Sequence, residues 1–161
     1  MAGNRSARHT RRLQATKDVF FDLTSADVGG NVGAFGGGDI DDDDEDAWVD
    51  CFLPWDFDDL VEAKVVMIPN ITATPMTLRI ITNYASAGVG YTDGGETLDK
   101  SVNTVAKRIT ELDIVDCLVT KSLAPHDYIG VRVGRIGGQN TDALILGVRI
   151  RYNVPITSHA P

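Results

Sequence analysis

Cysteine and histidine are scarce in this chain, and that scarcity removes several chemistries at once. The 161 residues contain two cysteines and three histidines. Cys51 and Cys117 stand far apart, with no Cys-x-x-Cys pair and no Cys/His cluster at zinc spacing, so the sequence holds no zinc-site pattern. His9, His126 and His159 are scattered, and they form no Ser/His/Asp or Cys/His order of the kind that activates a nucleophile. His126 reads as an ordinary turn residue. Long apolar runs are also missing: none reaches the roughly 18 residues that span a membrane as a helix. The charged, polar N-terminus is followed by no apolar segment, so the expectation is synthesis in the cytoplasm without a signal peptide. Cys51 then reads as a small buried hydrophobe, and cytoplasmic folding argues against a disulfide without excluding one. Helix-period patterning is sparse, whereas glycine is frequent at 16 residues. Together these absences favour an all-β fold that binds or builds.

What is present is unevenly distributed. The net charge is -8. Of the 15 basic residues, five (Arg5, Arg8, Arg11, Arg12 and Lys17) fall in residues 1–17, where no acidic residue occurs. All 23 acidic residues lie in the remainder. A basic arm on an acidic body suggests an arm that meets an acidic partner. That partner is nucleic acid or an acidic protein surface, and five charges without interleaved aromatics are only a weak signal for nucleic acid. Residues 1–15 therefore read as an extended arm, with Arg5, Arg8, Arg11 and Arg12 as its charged contacts and a disordered tail as the plainer alternative.

The body is organised around Ala47 to Pro69. Trp48, Asp50 and Phe52 alternate with Val49, Cys51 and Leu53, which predicts a half-buried strand. Pro54 ends it. The corner Trp55-Asp56-Phe57-Asp58-Asp59 leads into a second strand over 60–68. Trp55 and Phe57 are expected to fold back over the sheet edge and to serve as interface aromatics. Further strands are expected over 16–23, 76–84, 96–107 (polar and solvent-facing), 108–115 (with a bulge between Ile109 and Leu112), 127–135 and 143–153. In the last, Leu144, Leu146, Val148, Ile150 and Tyr152 share one face, and Arg149 and Arg151 lie opposite. One helical turn is expected within 116–124. Residues 24–46, rich in glycine and aspartate, read as a long surface loop. The sum is an eight-stranded β-sandwich of jelly-roll type over 16–155, with a tail at 156–161 and a simple immunoglobulin-like sandwich as the runner-up.

Several patterns invite chemistry. The acid run Asp39 to Asp46 could hold calcium, with Asp41, Asp42, Asp43 and Asp44 as candidate ligands. An EF-hand loop from Asp39 would need glycine where Asp44 stands and glutamate where Asp50 stands, so that motif fails. A solvated acidic loop, or a dock for the basic arm of a neighbouring subunit, is the competing reading. The glycine runs lack the strand–loop–helix setting of a phosphate loop. The pairs Asp56/Asp58 and Asp58/Asp59 would need a cleft between them to act as glycosidase carboxylates, and they read as solvated corner acids. Trp48, Trp55, Phe57, Tyr84 and Tyr91 could stack on a sugar or belong to core and interface.

Four stretches, WVDCFLPWDFDDLVEAKVVMIP, MTLRIITNYASAGVGY, LAPHDYIGVRVGR and LILGVRIRYN, carry a resemblance. From Trp48 to Tyr152 the chain resembles virion structural proteins of tailed bacteriophages with a jelly-roll fold. The resemblance implies a capsid decoration (cement) protein, by analogy a homotrimer, whose partners are the major capsid protein or other virion proteins. No catalytic residues carry over with it; the expectation of no membrane and of no cofactor, calcium at the acid run apart, comes from the residues themselves. Location in the virion follows from the same likeness. A carbohydrate- or receptor-binding module of a fibre, and a shell subunit whose arm meets packaged nucleic acid, are the alternatives.

Overall fold

A computed structural model describes residues 14–86, 96–118, 122–137 and 141–156. The arm arginines Arg5, Arg8, Arg11 and Arg12, together with His9, Tyr91 and His159, lie outside the described residues. Among those described, eleven strands occur: β1 (Gln14–Asp22), β2 (Ser25–Ala26), β3 (Val28–Val32), β4 (Phe35–Ile40), β5 (Asp46–Phe52), β6 (Asp59–Pro69), β7 (Met76–Ala85), β8 (Thr97–Val102), β9 (Thr110–Asp113), β10 (Tyr128–Arg135) and β11 (Ala143–Pro155). The protein is all-β, and its strands form two antiparallel sheets. One sheet runs β3-β4-β11-β6-β9, with β1 also paired to β11. The other runs β2-β5-β10-β7-β8. Pairings nest around β7–β8: β6 with β9, β5 with β10 and β4 with β11, all antiparallel.

The sheets enclose one core. Val49, Cys51 and Leu53 face it and are almost wholly buried, while Asp50 and Phe52 are exposed on the opposite face. That is the alternation expected of a strand with one dry face. Val65 and Met67 on β6, Leu78 and Ile80 on β7, Ile129, Val131 and Val133 on β10, and Val148 and Ile150 on β11 complete the centre. Thr82, Thr104, Asp127 and Thr141 are the polar residues in the buried interior and each is hydrogen-bonded, whereas one buried oxygen among the described residues, Asp39 Oδ1, has no partner. Thr82 donates to the Cys117 carbonyl at 2.9 Å, Thr104 to the Ile71 carbonyl at 3.2 Å, and Thr141 to the Thr77 carbonyl at 3.3 Å. The Asp127 carboxylate accepts the Ala124 N–H at 2.8 Å. Such pairing offsets the desolvation of each group.

Several expectations are corrected. Eleven strands replace eight, mainly because residues 24–46 are not a structureless loop. They hold β2, β3 and β4. Glycine is what permits this. A Cβ on Gly37 would collide with the Ile145 carbonyl oxygen, and one on Gly38 would lie 2.7 Å from the Ala26 Cβ. Gly33 turns the β3–β4 hairpin with φ at 64°, a conformation that costs glycine little. The polar strand over 96–107 stops at Val102, and it is not wholly solvent-facing, since Leu98 and Val102 pack on the core. After it, Thr104 and Ala73 bind each other through backbone and side chain. The expected bulge near Ile109 is absent: β9 pairs with β6 in unbroken register, and Ile109 stands exposed ahead of it. The true bulges lie between β11 and β6. Ile145 faces Met67 and Gly147 faces Val66, so Leu146 is an extra residue. Past it the parity changes, and Ala143 and Ile145, rather than Leu144 and Leu146, join the core cluster. The helical turn is a short 3-10 segment, Val115–Cys117.

Candidate functional site

The corner after β5 separates its two aromatics. Phe57 is buried and stacks on Tyr152 with ring centroids 5.6 Å apart. It packs in this chain's own core and also lines the hollow beside Trp55. Trp55 is 77% exposed and borders a hollow of about 430 Å³ lined also by Lys17, Asp56, Pro125, Val154 and Pro155. A tryptophan left this open beside an apolar hollow is a candidate contact residue. The corner carboxylates brace the fold. Asp56 pairs with Lys17 and accepts from the Tyr152 hydroxyl at 3.2 Å. The Lys17 ammonium holds the Asp56 carboxyl below its usual range. Asp58 accepts from the Gln14 amide at 3.1 Å. Beside this corner, Phe52 lies 4.9 Å from Tyr128 and 5.7 Å from His126, centroid to centroid. His126 occupies a left-handed turn position with φ at 69°.

The acidic run closes the connection from β4 to β5. The Glu45 carboxylate accepts the N–H groups of Asp41 at 2.7 Å and Asp42 at 2.9 Å. Asp42 accepts the Asp43 N–H at 2.7 Å. Asp43 pairs with Arg135 at 3.1 Å, and Asp46 pairs with Arg132. Backbone N–H donation holds Glu45 below its ordinary value, while the side-chain hydrogen bond with Glu45, and then its charge, raises Asp41. Burial, with Asp142 and Glu45 nearby, raises Asp39. Among the described residues no group of three His, Cys, Asp or Glu side chains is arranged around a common metal position. The candidate ligands Asp41, Asp42, Asp43 and Asp44 are therefore not gathered; the contacts found brace a turn and clamp the end of β10.

The two outer faces differ in kind. On the β1-β11-β6-β9 face, Arg149 bonds to Glu111 at 2.9 and 3.0 Å, to Asp18 at 2.9 Å and to Glu62 at 3.3 Å. Arg151 bonds to Asp18 at 3.0 Å and Glu62 at 3.1 Å, and Lys64 approaches Glu62 and Glu111. Every charge in this network is answered by another. On the β5-β10-β7 face, a shallow groove of about 340 Å³ is lined by Trp48, Asp50, Ile81, Asn83, Gly130 and Arg132. A second hollow adjoins it through Ile81 and Arg132 and is bounded by Arg79 and Gly134. The register explains the gathering. Gly130 sits between Asp50 and Asn83, and Arg132 sits between Trp48 and Ile81. Glycine on the middle strand forms the floor, and its neighbours form the walls.

Of the residues singled out in the sequence, Trp55 and Trp48 reach candidate surfaces. Asp50, Asn83, Gly130 and Arg132 were not singled out as a site. They come from three strands distant in sequence, and only the outward parity of each was available as a signal. Fold and surface together define an all-β, two-sheet protein that presents one charge-neutralised face, one grooved face and one aromatic end. No protein-family model matches the chain. No curated protein matches it either.

Proposed function

We propose that this protein is a structural component of a tailed-phage virion, a decoration protein of jelly-roll type that binds the capsid as a homotrimer and acts by contact without turnover. The observation that carries the reading is the nested strand order. Pairing β4 with β11, β5 with β10, β6 with β9 and β7 with β8 across two sheets supports a jelly-roll plan. The resemblance of Trp48 to Tyr152 to phage virion proteins supports the same reading.

The end of the sandwich that carries Trp55 is the proposed contact region. Gln14 pairs with Pro155 and bonds to Asp58, so the chain enters the body beside the Trp55 hollow. In this reading the basic arm, with Arg5, Arg8, Arg11 and Arg12, would clamp the major capsid protein or a neighbouring subunit. Both cysteines are buried and free, and burial pushes the Cys51 thiol up to about 12.

Light scattering on the full chain tests the oligomer, and co-sedimentation with shells of the encoding phage tests the partner. A trimer of 17.4 kDa subunits that Trp55→Asp dissociates, and shell binding that deletion of residues 1–13 abolishes while the body stays folded, are the expected results. A wild-type monomer that ignores shells, or a truncated chain that binds them normally, refutes the reading. Closed shells formed by the chain alone would make it a shell subunit instead.

A further inference from the structure

The groove on the β5-β10-β7 face is not used by the proposed contact end, and its lining has a chemistry of its own. The Trp48 indole N–H, the Asp50 carboxylate and the Asn83 amide enter no side-chain hydrogen bond among the described residues. These three groups present a donor, an acceptor pair and a combined donor and acceptor. Arg132 is fixed by Asp46, and a guanidinium with five N–H donors keeps others available after one pair is made. Between them the floor is bare. A Cβ on Gly130 would meet nothing nearer than the Asp50 carboxylate at 3.9 Å. Glycine is therefore not required there by packing, and its effect is to keep the groove open.

The occupant follows by matching these groups. A phosphate or sulfate is poorly served, because Arg132 is paired with Asp46 and Arg79 with Asp99, and Asp50 adds a negative charge. An extended peptide pairs with a free sheet edge, and β10 lies between β5 and β7. A dry protein patch would leave three polar groups unsatisfied, each at the cost of its desolvation. A neutral polyhydroxylated ring fits all of them. Its polarised C–H face is attracted to the negative face of an indole. Its vicinal hydroxyls both donate and accept, as Asp50, Asn83 and Arg132 require. The space of about 340 Å³ lies at the low end of the roughly 300–1,000 Å³ typical of small-molecule sites, the scale of one or two sugar rings. We infer that the Trp48–Asp50–Asn83–Arg132 groove, floored by Gly130, is a binding site for a neutral saccharide.

The test is a glycan array probed with the full chain, followed by titration of the strongest neutral oligosaccharide. The key variant is Gly130→Val, which fills the floor. Its Cβ lands in open space, and a β-branched residue suits a strand, so the melting temperature should hold. We expect binding that Gly130→Val abolishes and that Trp48→Ala and Asn83→Ala each weaken about tenfold or more. A wild-type chain that retains no glycan overturns the inference. So does binding that survives Gly130→Val, or binding confined to acidic glycans and lost in salt. Shell binding is read by a different assay at a different surface, so either proposal can fail alone.

Discussion

Removing Arg149 should cost stability in a way that depends on salt and pH. Its side chain is 20% exposed and reaches three carboxylates, Glu111, Asp18 and Glu62, at 2.9 to 3.3 Å. Solvent-exposed pairs contribute about 0.2–1 kcal/mol each and networks sit at the upper end, so Arg149→Met should cost about 1–2 kcal/mol. Methionine keeps the apolar stem, which confines the loss to charge. For a domain of this size each kcal/mol moves the melting temperature by about 2–4 °C, giving a drop of about 2–8 °C at pH 7 and low salt. The Arg149 guanidinium is the main cause holding Glu111 below its ordinary value of 4.5. Asp18 is lowered too, by Arg151 first and then Arg149. A carboxylate with a depressed folded pKa stabilises the fold above its unfolded value, and that stabilisation is lost as pH falls through the folded one. The gap between wild type and variant should therefore be full at pH 7, shrink below about pH 4.5 and close once the carboxylates are protonated. It should also narrow in 1 M salt, where the Debye length is about 3 Å. Differential scanning calorimetry across pH and salt measures this. A gap that persists unchanged at pH 3 would mean that Arg149 acts by packing, and the network account would be wrong.

Two further outcomes test the fold and the thiols. Gly37→Ala, which drives a Cβ into the Ile145 carbonyl, should destabilise by about 1–3 kcal/mol, whereas Gly29→Ala, with nothing within 4 Å, should stay within about 0.5 kcal/mol; equal urea midpoints for the two would contradict the close approach of β4 to β11. Cys51 and Cys117 are buried, with thiols pushed up to about 12 and about 11, so neither should react with an aromatic disulfide reagent at pH 8 until the chain is unfolded. Reaction of either in the native protein would show that the core opens locally.

The sequence speaks most clearly where side chains report a period. In β5, Val49, Cys51 and Leu53 alternate with Trp48, Asp50 and Phe52, and the structure places each as its parity demands. It is silent where side chains are missing. Gly36, Gly37 and Gly38 give no alternation to read, yet β4 packs here because Gly37 carries no Cβ to block its approach to β11 and Gly38 none to meet Ala26 and Ala47. It misleads where a bulge preserves an apolar pattern. Leu144, Leu146 and Val148 look like one face, but the extra residue at Leu146 turns the strand over. Gly147 was the only local hint. The groove needed long-range register. Asp50, Asn83 and Arg132 each read correctly as outward residues, and nothing local brings β5, β7 and β10 side by side.

The division of charge between the outer faces bears on how the protein would work on a shell. Arg149, Arg151 and Lys64 are balanced by Asp18, Glu62 and Glu111 within one face, so that face gains little from a partner that must first break those pairs. The Trp55 end is the opposite case: its apolar hollow and exposed indole lose unfavourable hydration on contact and break no ion pair of that network. Docking by that end would bury the entry of the arm and leave the β5-β10-β7 face clear. A decoration protein seated this way would carry its groove outward on the particle. Decorated shells should then bind the saccharide identified on the array about as tightly as the free chain does, with more sites per particle. A groove that becomes inaccessible when shells are decorated would place the contact surface on the β5-β10-β7 face and would overturn the assignment of the Trp55 end.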